Sequence, residues 1–175
     1  MQPVGLGCPD FVLAVYIANT PHQPEYEALS NLSPVSAGEI YSIGQACGNG
    51  WRKVFNVYAK LILSLGSSPI ESVAQYNTWQ EYRDQCLLQV NSQTALLFSK
   101  PQLDLSLNTI HIICGRTYAK KLLEGGQLKV ELNWLDHEFA IDKDSRVIVC
   151  PYFDYRQLSN IKIERLTKLI AKLSS

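Results

Sequence analysis

An α/β fold is predicted, a three-layer α/β/α arrangement around a central, mostly parallel four-stranded sheet, with one further segment that reads as an extra edge strand. Two observations carry it. Four short apolar runs, Phe11 to Ile17, Thr94 to Phe98, Thr109 to Cys114 and Arg146 to Cys150, are rich in β-branched or large apolar residues and lack clean alternation. Strands buried on both faces read this way, as in parallel sheets. The order is strand, a block of helices, strand, strand, helix, strand, helix, an α/β layered pattern.

Ser36-Ala37-Gly38-Glu39 reads as a capping box, its hydroxyl and carboxylate three residues apart, and opens a helix that ends near Gly48. A second helix spans Gly50 to Leu65, with Val54, Val57, Tyr58, Leu61, Ile62 and Leu65 at helical spacing. Ser68-Pro69-Ile70-Glu71 combines another capping box with proline at the first helical position and predicts a long helix to about Val90. A helix from near Arg116 stops at Gly125-Gly126. The last helix begins at Ser159 or Asn160 and turns Ile163, Leu166, Leu169, Ile170 and Leu173 toward the sheet. Leu128 to Leu132 alternates apolar and charged residues, as an edge strand or a half-exposed one does.

The chain has 175 residues, 46% hydrophobic and 18% charged, which suits one globular domain across residues 1 to 175. Sixteen basic and sixteen acidic residues cancel, so there is no overall positive field of the kind that drives non-specific nucleic-acid binding. Five widely spaced cysteines without a C-x-x-C pair point to a reducing, cytoplasmic compartment. Nothing basic precedes the run Phe11 to Ile17, which is too short to span a bilayer and has a poor signal-peptide flank in Cys8-Pro9-Asp10. No membrane association is expected.

In open parallel sheets, ligands gather outside the carboxyl ends of the strands. The four runs end in Asn19-Thr20-Pro21-His22, Ser99-Lys100-Pro101, Gly115-Arg116-Thr117-Tyr118 and Pro151 to Arg156. Parallel strands would therefore place His22, Lys100, Arg116, Asp154 and Arg156 on one rim. Gly115-Arg116-Thr117 reads either as a tight strand-to-helix turn with a solvated arginine or as an anion site at a helix N-terminus, with Arg116 as a forked donor. In the loop after the last strand, Asp154 and Arg156 read as an acid or base beside an anion clamp, and Tyr152, Phe153 and Tyr155 as a stacking wall. The alternative for that loop is aromatic packing around a surface ion pair.

His22, His111 and His137 lack a metal-ligand spacing, and His111 sits inside an apolar strand, where a buried structural role fits. Gly48-Asn49-Gly50-Trp51 reads as a sharp turn between helices. There is no dinucleotide fingerprint, phosphate-binding loop or nucleophile elbow, so no cofactor and no metal is expected.

On the strings Gly48-Asn49-Gly50-Trp51-Arg52-Lys53-Val54-Phe55-Asn56-Val57-Tyr58-Ala59-Lys60 and Cys150-Pro151-Tyr152-Phe153-Asp154-Tyr155-Arg156-Gln157-Leu158-Ser159-Asn160, the chain resembles a bacterial protein family of unknown function. More distantly, at the level of fold, it resembles the uracil-DNA glycosylase superfamily, with one motif after the first strand and another after the last. That likeness implies a water-orienting role for Asn19 and His22, and a DNA-intercalating role for Tyr155 to Leu158. Cys150 stands where that superfamily has histidine, and Tyr152 where it has serine.

Two functions are expected in different classes. The first is a crevice for a nucleobase, nucleotide or other planar anion. Arg116, Thr117, Arg156 and Asn160 would hold the ligand with Tyr152 and Tyr155, and Asn19, His22 and Asp154 would serve any hydrolysis. An enzyme of this kind would be a hydrolase of the DNA glycosylase type, with nucleic acid as a weaker partner. The second is a non-enzymatic interaction module or homodimer, in which the aromatic loop joins Trp51 and Trp134 in an interface.

Overall fold

A computed structural model describes residues 2–103 and 108–174. Eight strands, β1 (Gly5–Gly7), β2 (Leu13–Tyr16), β3 (Leu32–Ser33), β4 (Thr94–Leu97), β5 (Ile110–Cys114), β6 (Asn133–Trp134), β7 (Ala140–Asp142) and β8 (Val147–Cys150), form one sheet. Among the described residues six α-helices accompany it: α1 (Pro24–Glu27), α2 (Glu39–Cys47), α3 (Asn49–Leu65), α4 (Trp79–Gln85), α5 (Arg116–Glu124) and α6 (Asn160–Ser174). The strand order is β3-β1-β4-β2-β5-β8-β7-β6.

The four apolar runs form the centre, where β4, β2, β5 and β8 are mutually parallel. The expected four-stranded, mostly parallel sheet is nevertheless too small. The sheet is mixed, because β1 runs antiparallel to β4 and β7 runs antiparallel to both β8 and β6. These added strands are two or three residues long, too short to show a period of two. In β1 the reason for its composition is contact. A Cβ on Gly5 or Gly7 would meet the Leu96 or Thr94 carbonyl oxygen of β4 at 2.2 or 2.5 Å.

Alternation along the central strands sorts their side chains onto two apolar layers. Leu13, Val15, Ile17, Leu96, Ile110, Ile112, Ile148 and Cys150 join the larger layer, with α3 and α6. Ala14, Tyr16, Ala95, Leu97, Ile113, Val147 and Val149 join the smaller one, under α5 through Ala119 and Leu122. Tyr58 of α3 is fully buried and donates its hydroxyl to the Ala95 carbonyl at 2.8 Å, tying that helix to the sheet.

Three local expectations change. The long helix to Val90 is instead a short 3-10 turn over Glu71–Gln75 and the separate helix α4. Tyr76 is extended, and Thr78 caps α4 by accepting the Glu81 N–H at 3.2 Å, so a second helix start lies inside the predicted one. The segment Leu128 to Leu132 is not a strand. Leu128, Val130 and Leu132 pack on the smaller layer while Lys129 and Glu131 do not, so the alternation reports an extended segment lying on a face. The ladder begins only at β6. At Ser36, the Glu39 carboxylate does reach back to the backbone N–H at 2.9 Å, but the hydroxyl donates to that carboxylate instead of capping a helical N–H.

Among the described residues, no helix is long and apolar enough to cross a membrane.

Candidate functional site

Because β4, β2, β5 and β8 are parallel, their following loops emerge along one rim. β5 ends at Cys114, and Gly115, at φ +103°, turns the chain into α5 while its N–H donates to the Cys150 carbonyl at 2.9 Å. Only glycine takes that φ without strain. Among the described residues no side chain caps α5, which leaves its first-turn N–H groups and the positive end of the helix toward the rim.

A cleft of about 390 Å³ opens there. One wall is Gly115, Arg116, Thr117 and Tyr118 with Lys121 a turn further on; the other is Pro151, Tyr152 and Gln157, from the loop after β8. His137 and Glu138, from the β6–β7 hairpin, close a third side. The Tyr152 hydroxyl donates to Asn19 Oδ1 at 3.1 Å, joining the loops after β2 and β8. Burial pushes that phenol above its ordinary pKa, which keeps the hydroxyl protonated as a donor.

Cys114 also lines the cleft. Burial raises its thiol to about 12, against a smaller opposing effect of the Phe153 N–H, which donates to Sγ at 3.3 Å. Cys150 is also buried and raised by desolvation.

The hairpin is built around Asp136, whose carboxylate accepts the Glu138 and Phe139 N–H groups, both at 2.8 Å. Three cations hold its tip. Arg116 donates to the His137 carbonyl at 2.7 Å while lying over Trp134, Lys162 pairs with Glu138 at 2.7 Å, and Arg165 pairs with Asp136. The Arg165 hydrogen bond, the largest cause, holds the Asp136 carboxyl down at about 2. Arg116 therefore builds the cleft wall.

Of the residues singled out in the sequence, Arg116, Thr117 and Tyr152 line this cleft, and Asn19 joins it through Tyr152. Asp154, Tyr155 and Arg156 form a separate cluster. Asp154, 7% exposed, takes Arg156 Nε and Nη2 at 3.1 and 2.8 Å and lies 3.7 Å from Lys53 of α3. Its carboxyl is held at about 2, first by the Arg156 side chain. Lys53 also sits over the exposed Tyr155 ring, at 5.5 Å. His22 is exposed and its main chain bonds Cys47, whereas Asn160 is the exposed first residue of α6. Lys100, also exposed, does not line the cleft.

Under the smaller layer, His111 is 1% exposed, with Nδ1 2.8 Å from the Tyr16 hydroxyl and Nε2 without a partner among the described residues. Burial, reinforced by nearby Arg146, lowers its pKa to about 4, so the ring is neutral near pH 7. Among the described residues, no group of three or more His, Cys, Asp or Glu side chains gathers as a metal site would require.

Lys121 and Glu138 carry no site assignment from sequence, and Gln157, which lines the cleft, entered only within the segment Tyr155 to Leu158 that the glycosylase resemblance marks as DNA-intercalating. Lys121 had a readable signal, since it stands four residues beyond Thr117 on the same helical face. His137 and Glu138 had none, because they reach the cleft only through β7 pairing with β8.

The chain belongs to the family DUF6942, a family of unknown function, whose model matches residues 4–171. No curated protein and no solved structure matches it.

Proposed function

Because that family carries no assigned reaction, we propose from the site itself that this protein binds a small planar ligand with an anionic group, such as a nucleotide or nucleobase derivative, in the cleft beside α5. One observation carries the reading: the uncapped N-terminus of α5 and Lys121 border the same cleft as the half-buried ring of Tyr152. Helix-terminal N–H groups and an ammonium favour an anion, and a fixed phenol ring offers a stacking surface. The volume falls within the range of small-ligand pockets. Five free thiols support a reducing, cytoplasmic setting.

Calorimetric titration with nucleoside monophosphates tests this. Lys121→Ala is expected to weaken binding about tenfold, the loss of one charge-assisted contact. Absence of binding by any nucleotide or by inorganic phosphate would overturn the reading.

A hydrolytic reading draws on the glycosylase resemblance and on one observation, the Asn19 amide held by Tyr152 at the rim. It predicts release of free base from uracil-containing DNA. No release of uracil or related bases from single- or double-stranded DNA after prolonged incubation excludes it.

A further inference from the structure

We infer that Glu138 is the specificity-determining residue of this cleft and selects ligands whose ring edge presents N–H donors, as amino-substituted bases do; this rests on the anion-binding reading above. Glu138 is the one carboxylate among the described residues lining the cleft, and the cations and helix amides belong to the α5 wall. The cleft therefore has an anion-accepting side and a donor-accepting side. A ligand with an anionic group alone satisfies only the first.

Glu138 is held for this task from two directions. Its backbone N–H is fixed by Asp136, and its carboxylate oxygens lie 2.7 and 3.0 Å from Lys162 Nζ in the first turn of α6. A carboxylate has about four lone-pair positions, and one ammonium leaves acceptor capacity for a ligand. The pair is more than a third exposed on both sides, so it adds little to stability. What it supplies is orientation and an ionised acceptor, which makes Lys162 a positioning residue.

The experiment uses matched ligands that differ only in an amino group: guanosine monophosphate against inosine monophosphate, and adenosine monophosphate against purine riboside monophosphate. The full chain is titrated with each, and with inorganic phosphate. In at least one pair the amino compound is expected to bind about tenfold more tightly, the value of one hydrogen bond to a charged acceptor. In Glu138→Ala, which removes the acceptor altogether, that ratio is expected to collapse toward one, with phosphate affinity retained.

Equal affinities within both pairs, or discrimination that survives in Glu138→Ala, would overturn the inference while leaving the anion site standing. Binding of none of the mononucleotides and no phosphate would remove the anion site, and this inference with it. The wild-type comparison decides the matter even if the variant folds poorly.

Discussion

The two faces of the sheet treat their charges differently at the rim. On the face carrying α3 and α6, Asp154 is enclosed by Arg156 and Lys53, and the polar residues of the loop neutralise one another. On the α5 face, Lys121 has no ion-pair partner among the described residues, and the helix N-terminus opens on a cleft. The layers beneath differ in the same sense. The α3 side is a deep apolar core, whereas the α5 side is thinner and encloses the Tyr16–His111 pair. Polar residues that find partners within the fold serve its stability; those left facing space are available to a ligand.

Breaking the deep face should have the largest effect. Phe153 is fully buried and meets Tyr58 edge-on at 5.7 Å, so Phe153→Ala is expected to cost about 3–5 kcal/mol by denaturant unfolding. A loss well below that range would mean this face is not close-packed.

His111 tests the thinner face through pH. Its folded pKa, about 4, lies below the ordinary 6.5, so the unfolded chain takes up a proton between those values that the folded chain refuses. Stability should therefore fall as pH drops from about 6.5 to about 4, by roughly 3 kcal/mol in all. Replacing the ring in His111→Gln should flatten that slope in parallel unfolding curves.

Asp154→Ala should cost about 1 kcal/mol, because the bonds to Arg156 are lost but that guanidinium, itself exposed, is taken up by water. Its depressed pKa places this contribution fully above pH about 4, with loss as pH falls toward about 2. Nucleotide affinity should not change; a large affinity loss would join the two regions into one site.

The smallest stability effect belongs to Lys121→Ala, within about 0.5 kcal/mol. Its consequence should appear in ligand affinity alone. A matching drop in thermal stability would make Lys121 structural and erase the contrast between the faces.

Much of the central fold was legible because long apolar runs and 3.6-residue patterns are local signals. The four central strands, α3, α5 and α6 all carry them. The short edge strands do not, and the break before α4 was hidden because Ser68-Pro69-Ile70-Glu71 announces a helix start more strongly than Thr78 does. Around the cleft, the positions of Arg116, Thr117 and Tyr152 followed from the rule that loops gather at the carboxyl rim. Asp154 followed from the same rule yet lies in a closed ion-pair cluster, since position in a loop does not reveal which partner a side chain meets.

By itself, the sequence determined the α/β class, the apolar centre of the sheet and the rim on which polar loops assemble, because burial and periodicity act within a few residues of chain. Only the tertiary structure decided which face each rim residue joins, that Arg116 holds a hairpin, and that Glu138 reaches the cleft from a two-strand turn. Those outcomes depend on pairing between segments distant in sequence, where long-range geometry selects among partners that local chemistry leaves equivalent.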